Sequence, residues 1–400
     1  MTNEAFIAKN KDADVRSLAL NKAPEGIDLH YCLQQIEGRQ IAVRKLPSLA
    51  KTDGIIYPAK ISLEQCSSEQ TALYKQRLVE RLLPKVRQNM VDLTGGFGID
   101  FIFLAQLFDK SDYVEHNEEL CKIAHHYFLL LHLPQAKIHN MNSEDFIDEM
   151  GNYCLIYIDP SRRDSAGHKV VALSDCSPNI EALQDKLLTH APFVIVKLSP
   201  MLDIHDTLRR LSNTSEVHVV SVGGECKEIL LVLSQTKHGI KYFCTDITTE
   251  FHTYSTDVRD TEPVIAPNLE RYLYEPNASI MKAGVQNSLC HAYGIRKLHP
   301  FSHIFTSAHF IENFPGRTFL IEDHCSFAKK DLKRMLEGLT QCNLTVRNFP
   351  STVAEIRKRL KLREGGDIYL FATTLCDGSH ALLRCKQALL IQSEKSELSE

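Results

Sequence analysis

The chain has 400 residues, a formal net charge of −4, 44% hydrophobic residues and 24% charged residues. This is the composition of a folded globular protein, and the length predicts more than one domain, because single hydrophobic cores rarely grow beyond about 250–300 residues. The negative net charge argues against nucleic-acid binding over the whole surface and confines any basic surface to a local patch.

The sequence contains neither a targeting pattern nor a metal-binding pattern. The first twelve residues include two acids and no apolar stretch of signal-peptide length, and no apolar run approaches the ~18 residues of a membrane helix. Twelve cysteines occur without a CxxC pair, and eighteen histidines form no cluster with ligand spacing. We therefore expect a cytoplasmic protein with no metal and no membrane partner.

The N-terminal region is predicted to be helical. Apolar positions recur with a helical period in residues 6–20, 29–43 and 67–83. The third helix carries the capping residues Ser67 and Ser68 and ends before Pro84, and residues 55–58 are predicted to be extended. We expect these helices to form a cap that packs on the next domain. The alternative is that residues 65–69 close over the ligand of that domain.

A glycine loop follows the first predicted strand. Strand 90–93 leads into Thr94-Gly95-Gly96-Phe97-Gly98, then into a helix over residues 99–108 and a second strand that ends at Glu115. Glycines between a strand and a helix let the backbone approach a ligand, and the helix N-terminus offers free N–H groups. An acidic residue after the second strand can accept hydrogen bonds from both hydroxyls of a ribose. The pattern predicts a cofactor that contains a nucleoside.

From residue 89 to about 233 strands and helices alternate, which predicts βαβ units and a parallel sheet. After Glu115 the predicted elements are helix 120–131, strand 136–139, helix 143–149, strand 154–158, helix 179–190, strand 193–198 and helix 203–211. Only five residues separate strands 217–222 and 228–233, too few for a parallel crossover, so these strands predict an antiparallel hairpin. The hairpin, together with Phe101 at the place of a third glycine, disfavours a dinucleotide cofactor.

Residues 234 to about 275 have the pattern of a connector, and a separate region begins near residue 276. The last elements are predicted as strand 318–321, helix 329–339, strand 344–348, helix 353–362 and strands 367–373 and 381–385. This order is typical of a small α+β domain of the split ferredoxin type. Gly365-Gly366 is expected to cap the second helix, and the polar tail is expected to be disordered.

Strand 154–158 leads into Asp159-Pro160-Ser161-Arg162-Arg163, which we expect at the carboxyl edge of the sheet, beside the glycine loop. Asp159 can accept a hydrogen bond from an amine, and Pro160 makes the turn rigid. The forked donors of Arg162 and Arg163 suit phosphate or carboxylate groups. A solvated loop with surface ion pairs is the alternative for the two arginines.

Together these motifs resemble those of class I S-adenosylmethionine-dependent methyltransferases. The forms DLTGGFGID and DPSRR, residues 63–75 and the C-terminal region resemble the bacterial THUMP-like-domain family. The resemblance implies an α/β fold: a Rossmann-like class I methyltransferase sheet of seven strands, its last hairpin antiparallel, with an N-terminal helical region and a C-terminal α+β ferredoxin-like/THUMP-like domain. The expected parts are the N-terminal helical region (1–87), the S-adenosylmethionine-binding domain (88–235), the connector and THUMP-like region (236–315), the C-terminal α+β ferredoxin-like domain (316–392) and the disordered tail (393–400).

The resemblance also implies residue roles. Glu115 holds the ribose hydroxyls, and Asp92 belongs to the part of the site that lines the methionine moiety. Asn142 lies in the adenine-contacting loop, where related families often have aspartate, and its amide oxygen can accept the same hydrogen bond. The implied cofactor-binding residues are Asp92, Gly95, Gly96, Gly98, Asp100, Glu115, Asn142 and Ser143, and the implied catalytic residues are Asp159, Pro160, Arg162 and Arg163.

The sulfonium of this cofactor is a strong electrophile, so in-line positioning supplies most of the rate. Enzymes that methylate the adenine amine typically have an aromatic residue after this motif, but none follows Asp159-Pro160 here. Enzymes that methylate a pyrimidine carbon need a nucleophilic cysteine, and none stands at the end of strand 193–198, so covalent chemistry there is disfavoured. The arginine-containing loop is similar to the Asp-Pro-Pro-Arg loop of tRNA methyltransferases, which faces a guanine or a phosphate. We therefore expect a ring or exocyclic nitrogen of an RNA base, in tRNA or rRNA, as the acceptor.

RNA is expected as a partner because of local charge. Between Ala328 and Glu364, ten Lys or Arg residues stand against four acids, mainly on the predicted helices Lys329–Leu339 and Val353–Arg363. Clustered cations bind phosphates by releasing counterions. A solvated helix face is the alternative. Methylation of a protein or small molecule, or non-catalytic cofactor or RNA binding, remain alternative functions.

Overall fold

The computed structural model describes residues 2–161, 173, 176–236, 239–259 and 261–388. It contains two compact units, one of Met1–Glu216 with Ile229–His238, the other of Val217–Glu228 with Gly239–Glu400. Within the described ranges no helix is both long and apolar enough to cross a membrane. The expected catalytic residues Arg162 and Arg163 and the expected tail 393–400 lie outside the described residues.

The first unit begins with the predicted helical region. Its helices are α1 (Asn3–Asn10), α2 (Val15–Ala19), α3 (Leu29–Lys45), α4 (Pro47–Ala50), α5 (Lys60–Gln65) and α6 (Glu69–Leu82). Segment 6–20 therefore holds parts of two helices, because the Asp14 carboxylate caps the second by accepting the N–H of Ser17. Ser68 caps α6 by accepting the N–H of Thr71, whereas the Ser67 side chain points elsewhere. Residues 55–58 lie outside any helix or strand.

The strands and helices of the alternating region confirm the α/β prediction. The strands are β1 (Asn89–Asp92), β2 (Lys110–Val114), β3 (Ala136–His139), β4 (Leu155–Ile158), β5 (Phe193–Leu198), β6 (Thr214–Val222) and β7 (Glu225–Ser234). The helices are α7 (Ile99–Ala105), α8 (Glu118–Leu130), α9 (Ser143–Glu149), α10 (Ile180–His190) and α11 (Ile204–Arg210).

The sheet has nine strands, two more than the seven expected, and from one edge its first seven run in the order β3-β2-β1-β4-β5-β7-β6. Strands β1 to β5 pair in parallel, and β7 runs antiparallel to β5. Strands β6 and β7 are neighbours joined by two residues, which confirms the predicted hairpin. Gly223 and Gly224 form the hairpin turn with φ of 60° and 79°, the backbone that suits a two-residue connection. The strand order reverses between β1 and β4, and ligands of open α/β sheets bind at the carboxyl ends beside such a reversal.

The second unit contains a strand pair that the sequence analysis assigned to a connector, and this pair completes the nine-stranded sheet. Strands β8 (Lys241–Ile247) and β9 (Phe251–Thr256) pair antiparallel. Tyr254 is the one buried residue of β9, so the alternation that normally reveals a strand is weak there.

This unit also contains a seven-stranded sheet in the order β11-β12-β10-β13-β16-β15-β14. Its strands are β10 (Tyr272–Pro276), β11 (Arg296–Lys297), β12 (Phe305–Ser307), β13 (Gly316–Ser326), β14 (Gln341–Arg347), β15 (Arg363–Thr374) and β16 (His380–Gln387). Its helices are α12 (Ala278–Ala283), α13 (Leu289–Tyr293), α14 (Lys329–Met335) and α15 (Val353–Leu360). The predicted order from residue 318 onward is confirmed.

The expected helix cap at Gly365-Gly366 is wrong. Lys361, with φ of 55°, ends α15, and both glycines belong to β15. Their φ values of 108° and 82° accompany the shift in β14–β15 register after Cys342. Positive φ at two glycines lets the strand accommodate this irregularity.

Candidate active site

The glycine loop connects the carboxyl end of β1 to α7 and turns sharply at two glycines. Gly96 and Gly98 have φ of 55° and 82°, the left-handed region that other residues rarely adopt. Gly98 is the residue that precedes α7. Gly95 is a glycine for a different reason, because a Cβ there would lie 2.1 Å from the ring of Tyr113.

Glu115 lies directly beyond β2 and faces this loop. Its carboxylate is buried, and one oxygen accepts the Gly96 N–H at 2.8 Å while the other accepts the Asn117 N–H at 2.8 Å. Asn140 donates from its side chain to the backbone oxygen of Glu115 at 3.0 Å. These bonds fix the acidic residue against the glycine loop.

Asp92, the last residue of β1, is almost completely buried. Burial raises the pKa of its carboxyl group to about 8, although the hydrogen bond from the Thr94 N–H acts in the opposite direction. The Thr94 hydroxyl oxygen in turn accepts the backbone N–H of Asp159 at 2.6 Å. The ends of β1 and β4 are thereby joined, so Asp159 lies beside the glycine loop.

Asp100, in the first turn of α7, is the centre of a buried charge cluster. Its carboxylate accepts hydrogen bonds from the hydroxyls of Ser67 and Tyr157, each at 2.7 Å. The ammonium groups of Lys75 and Lys197 lie 3.0 and 3.3 Å from its two oxygens. Burial by itself would raise the pKa of Asp100, but the two lysines and the two hydroxyls outweigh it and hold that pKa below its ordinary value.

The lysines of this cluster were missed by sequence reasoning. Lys197 stands in the apolar strand FVIVKL, and Lys75 on α6 is completely buried. A lysine inside a buried strand is rare unless it is paired, and this was the available signal. Lys197 also contacts Asp159, with its nitrogen 2.5 Å from the carboxylate.

The other predicted residues occupy different positions. Ser143 donates from its hydroxyl to the Leu93 backbone oxygen at 2.6 Å, which ties α9 to the end of β1. Asn142 is exposed, and its side-chain nitrogen donates to Asp145 at 3.3 Å. Pro160 is buried next to Asp159. Among the described residues, no group of three or more His, Cys, Asp or Glu is arranged to hold a metal ion.

In the second unit, several arginines of the predicted basic surface are engaged within the protein. Arg357 pairs with Glu364, and Arg359 donates to the Phe327 backbone oxygen and lies over its ring. Arg334 pairs with Asp323 at 3.5 Å. Six further cations lie on α14, on α15 or just after α15, and they are exposed and have no ion pair in the part of the chain that the structure describes. They are Lys329, Lys330, Lys333, Lys358, Lys361 and Arg363.

Comparison with known proteins adds a family assignment. A model described as a ferredoxin-like domain matches residues 272–315, and one described as THUMP domain-like matches residues 316–387. A solved structure from Porphyromonas gingivalis W83, described as a "putative methyltransferase", is 30% identical and covers 96% of this chain and 97% of its own, with a TM-score of 0.83. A "putative RNA methyltransferase" from Pyrococcus horikoshii is 13% identical over 50% of this chain and 99% of its own, with a TM-score of 0.35. No curated protein matches the sequence.

Proposed function

Because the chain belongs to the methyltransferase family with a C-terminal THUMP-like domain, we propose that it transfers a methyl group from S-adenosylmethionine to a nitrogen of an RNA base. S-Adenosylmethionine, when bound, supplies an electrophilic methyl group. The protein's own residues then have three tasks: to hold the nucleoside, to orient the acceptor nitrogen and to bind the RNA. The described residues support each of them.

Glu115 suits the ribose. Oxygen Oε1 of its carboxylate accepts the Asn117 N–H and also lies 3.1 Å from the His116 ring nitrogen Nδ1, whereas Oε2 accepts the Gly96 N–H. A carboxylate oxygen has two lone pairs, so the second lone pair of Oε2 can accept a ribose hydroxyl. At Gly96 a Cβ would have nothing nearer than the Thr94 backbone oxygen at 3.7 Å, so there is open space beside the loop. We propose that Asp92, Gly95, Gly98, Asp100, Asn142 and Ser143 complete the cofactor site, either in contact or by shaping the loops around it.

Asp159 suits the acceptor nitrogen. Its side chain is 36% exposed, although its neighbours in the charge cluster are buried, and its backbone is held by Thr94. A carboxylate in this position accepts a hydrogen bond from the acceptor N–H and aligns the nitrogen lone pair. We propose that Pro160 fixes the turn and that Arg162 and Arg163 contact the RNA.

The lysines of α14 and α15 suit an RNA backbone. Lys330, Lys333 and Lys358 are exposed and free of ion pairs among the described residues. Binding of their ammonium groups to phosphates would release counterions from the RNA. A protein or small-molecule acceptor has no comparable support from the described residues.

The single observation that carries the proposal is the hydrogen bond from the Gly96 N–H to the Glu115 carboxylate, at the sheet edge where Asp159 also emerges. Calorimetric titration with S-adenosylhomocysteine tests it. We expect binding to the wild type, at least about tenfold weaker binding to Glu115→Ala, because hydrogen bonds to a charged group are worth about 1.5–3 kcal/mol, and unchanged binding to Glu119→Ala. Glu119 is an exposed residue that pairs with Lys122. A wild type that does not bind contradicts the proposal.

The acceptor is tested by incubation of the protein with methyl-labelled S-adenosylmethionine and the RNA, protein and small-molecule fractions of a strain that lacks the gene. Label in an N-methylated base of the RNA fraction supports the proposal. Label confined to the protein or small-molecule fraction contradicts the RNA part and leaves the cofactor part standing.

A further inference from the structure

We propose that Lys197 is a positioning residue for methyl transfer: it holds the Asp159 carboxylate in the orientation that receives the acceptor nitrogen. The inference rests on the function proposed above. It also assigns a role to the N-terminal helical region, because α6 and the residue before its cap help to hold Lys197 in place.

The contacts of Lys197 leave its ammonium group fully engaged. The nitrogen lies 2.5 Å from the Asp159 carboxylate, 3.3 Å from the Asp100 carboxylate and 3.2 Å from the Ser67 hydroxyl. An ammonium group has three hydrogens, and these three oxygens offer an acceptor for each of them. Lys197 therefore acts on Asp159 and has no hydrogen left for the substrate.

The far side of this cluster is anchored in the protein interior. Lys75 donates to the Ser67 hydroxyl at 3.0 Å and lies 3.0 Å from Asp100, and the Tyr157 hydroxyl donates to Asp100. Ser67 also donates to Asp100, so its hydroxyl connects both lysines to the same carboxylate. Two ammonium groups are thus balanced by two carboxylates, as burial of such groups demands.

Asp159 is the member of the cluster that faces solvent. Its side chain is 36% exposed, against 11% for Lys197, 8% for Asp100 and 0% for Lys75. The backbone of Asp159 is held separately, by the Thr94 hydroxyl. Loss of Lys197 should therefore release the Asp159 side chain without moving the strand end that carries it.

A solely structural role for Lys197 leads to different expectations. A buried lysine that only stabilised the fold would lower stability when replaced, but it would not act on turnover through Asp159. A positioning residue affects turnover through Asp159, so its replacement should have little further effect once Asp159 has lost its charge. A double-mutant cycle separates these cases.

The cycle uses full-length wild type, Lys197→Met, Asp159→Asn and the double variant. The first readout is urea unfolding of the protein without cofactor, which does not depend on methyl transfer. We expect the two single losses of stability to be clearly non-additive. Additive losses overturn the contact between Lys197 and Asp159.

The second readout is kcat with labelled S-adenosylmethionine and RNA from the strain that lacks the gene. We expect Lys197→Met to lower kcat about 10²-fold, the cost of a misplaced catalytic group, and to change kcat less than about twofold in the Asp159→Asn background. The affinity for S-adenosylhomocysteine should stay within about twofold, and Lys197→Arg should recover part of the loss. Losses of kcat that multiply, or an affinity that falls as much as kcat, overturn the proposal.

Lys137→Met, at an exposed position of β3, is the matched control and should leave both readouts unchanged. If Lys197→Met does not fold, Lys197→Gln, which retains N–H donors without the charge, takes its place in both cycles. A wild type that binds no S-adenosylhomocysteine and transfers no methyl group overturns the proposed function and the catalytic role together. The unfolding cycle still decides whether Lys197 holds Asp159.

Discussion

The hydroxyl of Tyr113 donates a hydrogen bond to the backbone oxygen of Gly96 at 2.5 Å, and its ring occupies the space that a side chain on the preceding residue would need. Tyr113 lies on β2 and is completely buried. Its ring packs edge-on against Phe101 and Phe128, with centroids 5.4 and 5.5 Å away. The packed rings of Tyr113, Phe101 and Phe128 therefore fix the position of the glycine loop.

Gly95→Ala should destabilise the first unit by about 1–3 kcal/mol, the usual cost of overpacking a core. The added Cβ would lie 2.1 Å from the Tyr113 ring, and the neighbouring aromatic rings prevent that ring from moving away. Urea unfolding measures the effect. Gly151→Ala is the matched control, because a Cβ at Gly151 would have nothing within 4 Å. Equal effects of the two substitutions would contradict this account of the loop.

Asp92 predicts a pH dependence of stability. Its carboxyl pKa rises from 3.8 to about 8 on folding, chiefly because of burial. Between these pH values the unfolded chain has lost a proton that the folded protein retains, so the free energy of unfolding should fall as the pH rises through this window. Asp92→Asn removes the effect, and its stability should change less between about pH 6 and about pH 8 than that of the wild type.

Urea unfolding at several pH values measures this difference. The lowered pKa of Asp100 does not interfere, since the stability that it provides is present above the ordinary aspartate pKa and is lost only as the pH falls below it. Asp12→Asn, at an exposed position, should keep the wild-type dependence. A wild type and an Asp92→Asn variant with the same pH dependence would show that Asp92 is already ionised in the folded protein.

The sequence predicted the α/β elements within three residues at each end. Strands such as β4 are buried along their whole length, so they appear as apolar runs between polar turns. The placement of Glu115 and the glycine loop at one edge of the sheet also follows from the sequence, because parallel strands place their carboxyl ends together, but the hydrogen bond between them was not predicted. The expected domain boundaries and residue roles stay predictions.

The charge cluster could not be predicted in this way. Ser67 and Lys197 are 130 positions apart in the chain, and only the folded sheet brings them within hydrogen-bond distance. The usable signal was a single lysine in an apolar strand, which does not name its partners. The basic helices were predicted as a set, but the engagement of Arg357 and Arg359 within the protein depends on side-chain contacts that charge counting does not include.

Glu275 on β10 predicts a stability effect in the second unit. Its buried carboxylate pairs with Arg317 and, at 2.6 Å, with Arg347, from strands β13 and β14. Glu275→Gln should destabilise this unit by about 1–3 kcal/mol, because two cations lose their counterion, although their partial exposure limits the cost. Urea unfolding measures it, with Glu312→Gln at an exposed position as the control. A loss no larger than that of the control would mean that solvent compensates both arginines.

The exposed lysines of α14 and α15 predict a salt-dependent affinity for RNA. Replacement of Lys330, Lys333 and Lys358 by Gln should weaken the binding of a fluorescent single-stranded RNA. It should also reduce the slope of log affinity against log salt concentration by about 0.7 for each phosphate contact that is lost on a single strand. Glutamine rather than glutamate is used, so that a weaker affinity reports lost contacts and not new repulsion.

The matched control replaces Lys9, Lys11 and Lys22 of the other unit, which are also exposed, by Gln, so that the net charge of the protein changes by the same amount. If the two triple variants lose affinity equally, the lysines act through the overall field and not through contacts. Arg357 and Arg359 are kept intact, because their replacement would break contacts with Glu364 and Phe327 and confuse binding with folding. An unchanged affinity and salt slope in the α14–α15 variant would exclude these helices as the RNA-binding surface.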